Sequence, residues 1–400
     1  MGPVCWSYDL VIIGDSLAAV QGAIWAATVC RVGLVIESRG QLEFDYLNLA
    51  LTKLPTFLAP SQKHLWIQGY LSRCQDRYSL GALAQAGVDV IPSPGYFQKI
   101  PRTQQVEFVV GGDHLQAPAF ILVDRPLASP GNQPDRTPGT ILKTLADSPP
   151  LWVDVPGTQL ADLVLLKLCR QLDIPLAWGG DLEQLLPDED PLVLDWLGAD
   201  LEDRNCSPPA GPCLNLTTTL EGVPQGLANL HLSGLTTVAG AINVNSHLQT
   251  AEPQIYACGS WLGGYDLPMI TVAEVKYLIQ GLIARPQQQP LNYKTLPWWL
   301  ASPVPIARIG WHFQKAQRAF SQGIYAYPVQ AEHFGLGYGQ IVVNANQRLL
   351  GATLWGEGAI AAVRTLGLGI ETTSVQDCLA AAGWEIAVHP RQQGASCTTD

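Results

Sequence analysis

The chain is poor in charge, and poorer still in positive charge. Charged residues make up 14% of its 400 positions, and 23 Lys and Arg face 34 Asp and Glu, for a net charge of −11. No run of Lys or Arg occurs, so a nucleic-acid partner or an anionic membrane surface held by a basic patch is excluded. Long apolar runs are also missing. The uncharged stretches at 10–13 and 18–27 are too short to cross a bilayer, and no membrane partner is expected. No basic segment followed by an apolar one precedes the first strand in MGPVCWSYD, which points to a cytoplasmic protein. Nine cysteines are present, yet none forms C-x-x-C, none joins histidines at zinc spacing, and none falls between residues 38 and 73. No metal site is expected. Cys206 and Cys213 flank a Pro/Gly loop and could pair; reduced, mostly buried thiols are the reading that suits a cytoplasmic chain. P-loop and Ser/His/Asp signatures are lacking as well.

What is there is apolar and modular. At 400 residues, 47% of them hydrophobic, the chain calls for two or three domains. LVIIGDSLAAVQGAIWAATVCRVGLVIES, residues 10–38, reads as strand, turn, helix, strand. Residues 44–85 have helical character, and AGVDVIPS reads as a strand. VEFVVGGDHLQAPAFILVD reads as a hairpin around Gly111-Gly112-Asp113 that feeds another strand. Residues 126–150 have linker composition, and a second strand–turn–helix start follows at 151–171. Residues 173–215 are Pro- and Asp-rich with little periodicity beyond PLVLDWL. The pattern sharpens again at 230–264, ahead of a helix at 270–284. The terminal segment combines a hairpin in GQIVVNANQRLLGATLWGEG with helices at 312–321, 359–370 and 374–382; residues 391–400 read as a tail.

The first turn carries the question. A dinucleotide-binding turn wants G-x-G-x-x-G, and this chain has Gly14-Asp15-Ser16-Leu17-Ala18-Ala19. Gly14 can make the tight turn and Ala19 can allow close helix packing. Ser16 takes the second glycine's place, where its Cβ crowds a phosphate that its hydroxyl could still serve. Asp15 puts negative charge at the helix end that attracts anions. Alternatively, Asp15 or Ser16 caps the helix and takes the amides a phosphate would use. Glu37, ending the second strand, can accept hydrogen bonds from an adenosine ribose or simply face water.

Four segments, in order, resemble the flavin-containing pyridine nucleotide–disulfide oxidoreductases, such as dihydrolipoamide dehydrogenase, glutathione reductase and mercuric reductase. They are the unit at 8–38; LHLSGLTTVAGAINVNSHLQTAEPQIYACGSWLGG, similar to that family's T-x-x-x-x-I-Y-A-x-G-D; the helix at 270–284; and residues 303–379, similar to its interface domain. The resemblance implies an α/β protein with a two-part Rossmann-like FAD domain at 1–150 and 230–296. It further implies an inserted, shortened nucleotide-binding-like domain at 151–229 and a C-terminal α+β dimerisation domain at 297–390. FAD is the implied cofactor, with Gly14, Ser16, Ala19, Glu37, Gly259 and Ser260 as its binding residues, and a homodimer is the implied assembly.

The chain departs from the family where the chemistry lies. The family's C-x-x-x-x-C belongs on the helix after Glu37, and without thiols no dithiol relay can operate. At the second turn, Asp154-Val155-Pro156-Gly157-Thr158-Gln159, an aspartate and a proline stand at glycine positions, so the NAD(P) site is degenerate. Ser260 replaces a family aspartate. Asp124-Arg125 replaces the small residues of a loop that closes over the flavin, either as an internal ion pair or as a solvated loop. His389 aligns with the acid–base histidine of H-P-T-x-x-E, but Gly394 stands at its glutamate; it is the catalytic candidate, or else a structural or surface histidine. The expectation is a divergent FAD-binding oxidoreductase-like protein without disulfide-reductase chemistry, with an unidentified small-molecule or protein redox partner. The alternative is a non-catalytic dimeric binding or scaffold protein that has lost its cofactor.

Overall fold

The computed structural model describes residues 5–36, 40–55, 57–101, 103, 105–125, 127–128, 141–143, 152–155, 160–174, 176–178, 213–215, 219–220, 241–263, 267–284, 289–300, 304–320, 323–331, 337–356, 358–370 and 374–386. The chain divides into two compact units, residues 1–187 with 201–291, and residues 188–200 with 292–400.

The first unit is built on β1 (Cys5–Ser7), β2 (Leu10–Ile13), α1 (Leu17–Ala27) and β3 (Val32–Val35). Three helices follow, α2 (Gly40–Lys53), α3 (Pro60–Arg77) and α4 (Leu80–Gln85), and then β4 (Val88–Ile91), β5 (Gly95–Lys99), β6 (Val106–Val110), β7 (Asp113–Gln116), β8 (Phe120–Val123) and β9 (Leu127–Ala128). A smaller module holds β10 (Trp152–Val155), α5 (Leu160–Gln171), β11 (Leu176–Trp178) and β12 (Cys213–Asn215). β13 (Thr219–Leu220), β14 (Ile255–Cys258) and α6 (Pro268–Ile279) complete the unit.

Its central sheet is parallel, in the order β14-β8-β2-β3-β4. Every residue of β2, β3 and β8 is buried. Unbroken Val/Ile/Leu strands are what a parallel sheet covered on both faces requires. α1 lies against α6 so closely that a Cβ on Gly22 would collide with Val275. The chain enters β2, runs out through β3 and β4 on one side, and returns to β8 on the other. The carboxyl ends of β2 and β8 therefore flank a switch in strand order, the place where sheets of this kind form a crevice.

A second sheet, β1-β7-β6-β5, stands beside it. Phe97, Phe108 and Leu115 turn inward to meet Phe120, with Phe97 and Phe108 edge to face at 4.8 Å. The opposite face is polar. There Glu107 accepts from Gln98 at 2.6 Å, Gln116 at 3.2 Å and His114 at 2.8 Å. Burial pushes the Glu107 carboxyl up, but these bonds together hold it below the usual carboxylate range. In the smaller module β10 lies between β11 and β12, parallel to both.

The second unit contains β15 (Trp298–Leu300), β16 (Ile306–Gly310), α7 (Phe313–Ala319), β17 (Ile324–Ala331), β18 (Gly337–Asn344) and β19 (Leu349–Gly356), followed by α8 (Ala359–Gly369), α9 (Val375–Ala382) and β20 (Trp384–Ile386). The strands form one antiparallel sheet in the order β15-β16-β19-β18-β17-β20. Ile309, Val329, Ile341, Val343 and Leu354 pack beneath Ala362, Val363, Leu366 and Leu379 of α8 and α9.

Some sequence expectations are refined here. The helical stretch placed at 44–85 begins at Gly40 and breaks twice. α2 stops just ahead of Leu54-Pro55, since a residue before proline disfavours helix, and Pro60 then opens α3 at a position where its missing N–H costs nothing. Ser79 caps α4 by accepting from Ala82 N at 3.3 Å. β1 and β5 are additional strands. The hairpin turn at Gly111-Gly112 has the positive φ values, 59° and 94°, that its glycines suggested. PLVLDWL, Cys206 and the tail at 391–400 lie outside the described residues, as does most of the linker at 126–150. Among the described residues, no helix is long and apolar enough to cross a membrane.

Candidate functional site

The crevice begins at Gly14, the residue after β2. Its φ is 153°, and a Cβ there would collide with the carbonyl oxygen of Val123 on β8. Only glycine lets the two strand ends approach this closely. Ser16 then caps α1, its hydroxyl accepting from Ala19 N at 3.3 Å and hydrogen-bonding the Asp124 carboxylate. Ala19 is fully buried, as close helix packing demands. The cap that the sequence allowed at Ser16 is present.

Asp45, on α2, closes the turn from outside. Its Oδ2 accepts from Leu17 N, the first amide of α1, at 2.7 Å, and its Oδ1 accepts from Gln41 Nε2 at 3.4 Å. Nothing in the spacing of α2 marked Asp45 in advance, because the contact joins residues 28 apart in sequence.

The other wall is the segment after β14. Gly259 opens a short 3₁₀ turn, Gly259–Leu262, with φ 67°, and a Cβ there would strike the Asp124 carboxylate. Its amide donates to Glu274 Oε2 at 2.7 Å. Ser260 N donates to Asp124 Oδ1 at 2.9 Å, and the Ser260 hydroxyl accepts from Arg125 N at 2.7 Å while hydrogen-bonding Asp124. Thr271 Oγ1 adds a further bond to Asp124 Oδ1 at 3.3 Å.

Asp124 is thus the hub of the site. Burial pushes its carboxyl above the usual aspartate range, against the pull of hydrogen bonds from Ser16, Ser260 and Thr271. Asp124 and Arg125 do not pair with each other, contrary to one of the two sequence readings, and Asp124 is not solvated as the other held. The positive φ at Asp124, 52°, turns the carboxylate inward, while the Arg125 guanidinium lies over the Trp261 ring at 5.5 Å. Burial lowers the Arg125 pKa. Cys258, beside this hub, is fully buried; burial first, then the charges of Glu274 and Asp124, raise its thiol well above the usual range. It is an inert thiol. Glu37, His389 and residues 156–159 of the second turn lie outside the described residues. Among the described residues no cluster could hold a metal ion.

FAD, the cofactor the family resemblance implies, does not fit this arrangement. A dinucleotide needs free amides and hydroxyls at the turn to meet its phosphates. Here the Leu17 and Ala19 amides, the Ser260 amide and the Ser16 and Ser260 hydroxyls are engaged within the chain. Four carboxylates, Asp15, Asp45, Asp124 and Glu274, surround the position, each no more than 4% exposed.

No family model matches the chain, and no curated protein matches it. Among solved structures, the Cu(II) complex of the HOCl-induced flavoprotein disulfide reductase RclA from Escherichia coli is similar, with a TM-score of 0.64 and 17% sequence identity. The match covers 91% of this chain and 93% of that one. The mixed α/β fold described above therefore resembles that of a flavoprotein disulfide reductase.

Proposed function

We propose that this protein is a non-catalytic, dimeric binding or scaffold protein on a flavoprotein disulfide-reductase fold, without the disulfide relay and without a resident flavin. One observation carries the reading: α2, the helix that follows β3, contains no cysteine at all. Two further thiols, Cys258 and Cys169, are fully buried, and burial pushes the Cys169 thiol up to about 12. The filled turn at Gly14 and the degenerate second turn support the loss of FAD and of NAD(P).

A second reading keeps the flavin. It is favoured by the retained Gly14, by Ser260 standing at the crevice, and by the solved neighbour being a flavoprotein. On that reading the protein is a divergent FAD-binding oxidoreductase that exchanges electrons directly with a small-molecule or protein partner.

The test is turnover by the full chain, incubated with FAD and then supplied with NADH or NADPH and a small disulfide such as oxidised lipoamide. The expected result is no consumption of reduced nicotinamide above the enzyme-free control, with or without the disulfide. Disulfide-dependent oxidation would overturn both readings. Oxidation that proceeds equally without the disulfide would replace the first reading with the second.

A further inference from the structure

The fold brings a carboxylate to the point where a dinucleotide turn receives a phosphate. We infer that Asp45 is an internal substitute for the cofactor's phosphate, and that it keeps the turn closed to the diphosphate of an adenine dinucleotide. The inference rests on the loss-of-flavin reading and supplies its cause.

Asp45 is not doing the work of an ordinary helix cap. Ser16 already fills that role toward Ala19 N. Leu17 N is the next unsatisfied amide of the first turn, aligned with the positive end of the helix dipole, and it is the kind of donor an anion seeks. The contact at 2.7 Å is in the range of a charge-assisted bond, and it comes from a different helix. Asp45 is 4% exposed, so the chain has brought a carboxylate out of water to make it. Its neighbour Gln41, 5% exposed, gives its amide to Asp45 and leaves its own Oε1 buried with no hydrogen-bond partner. A cluster that tolerates an unpaired carbonyl oxygen to position one carboxylate is organised around that carboxylate. Asp124 does the same on the opposite wall, drawing both serine hydroxyls toward itself.

The experiment compares the full-length wild type with Asp45→Ala and Asp45→Asn, measuring thermal unfolding against rising ADP and, separately, FAD. Asparagine keeps an oxygen that can accept from Leu17 N, so the turn stays filled; alanine leaves the amide open. The expected result is an ADP-dependent rise in Tm of ~2 °C or more for Asp45→Ala, and none for wild type or Asp45→Asn. Asp45→Ser, uncharged and short, replaces the alanine variant if that chain does not melt cooperatively. A cooperatively melting Asp45→Ala or Asp45→Ser chain that ignores ADP would overturn the inference while leaving the loss of flavin intact. Wild type stabilised by FAD as strongly as Asp45→Ala would overturn both. Wild type stabilised by FAD, but Asp45→Ala more so, would sink the loss-of-flavin reading and support the role of Asp45.

Discussion

Asp124 and Lys167 are two buried ionisable side chains whose effects on stability run in opposite directions with pH. Burial raises the Asp124 carboxyl, so the folded chain holds that proton to higher pH than the unfolded chain does. Stability from this group is full below the ordinary aspartate pKa of ~3.9 and declines as pH rises through the folded value. Asp124→Asn keeps an acceptor for Ser260 N and cannot ionise, so its urea midpoint should gain on wild type as pH rises above ~4. Parallel curves would contradict a raised Asp124. Lys167 on α5 is 5% exposed, and desolvation lowers its ammonium to about 8. Between pH about 8 and the ordinary lysine value of ~10.4, the unfolded chain binds more protons, so stability should rise with pH across that window. Lys167→Met should abolish the rise and stabilise the protein at pH 7 by about 1–3 kcal/mol. Residue chemistry was partly legible in advance. Gly14, Ser16 and Ala19 announced a turn, and the cap was one of two open readings. Asp124 and Arg125 were visible as a departure, but a sequence does not say that a positive φ sends one side chain inward and the other onto Trp261.

Elements were legible where their signal is local. The turns at Gly14 and Gly111-Gly112 were marked by glycines, and the helices at 313–319, 359–369 and 375–382 fall within one or two residues of their expected bounds. β1 is three residues long and is defined by its pairing with β7, more than a hundred positions away, so nothing near it announces a strand. Two packing contacts give firm expectations. Phe108 is 2% exposed and meets Phe97 edge to face, so Phe108→Ala should cost ~3–5 kcal/mol of unfolding free energy in urea. Gly22 lies under Val275, so Gly22→Val should force α1 from α6 and cost ~1–3 kcal/mol. An unchanged midpoint for either variant would mean that the contact does not exist in solution.

At the scale of the whole molecule the fold resembles that of a flavoprotein disulfide reductase, and the helix after β3 carries no cysteine. Architecture was readable because unbroken apolar strand runs and turn glycines are local signals. The hydrogen bond from Leu17 N to Asp45 was not, because Asp45 reaches the turn only once α2 is folded against α1. The second unit exposes Tyr325 and Tyr338 at 49% each and Leu368 at 88%, and dimerisation would cover such surface. Sedimentation at micromolar concentration should give twice the chain mass of 43.2 kDa; a monomer would contradict the dimer. The most direct test of the proposed loss of flavin is equilibrium titration of the purified wild-type chain with FAD, followed by quenching of flavin fluorescence. A linear response with no saturation is expected. A stoichiometric break in the titration would mean that the carboxylates at Gly14 give way to the cofactor, and that the protein is a flavoprotein after all.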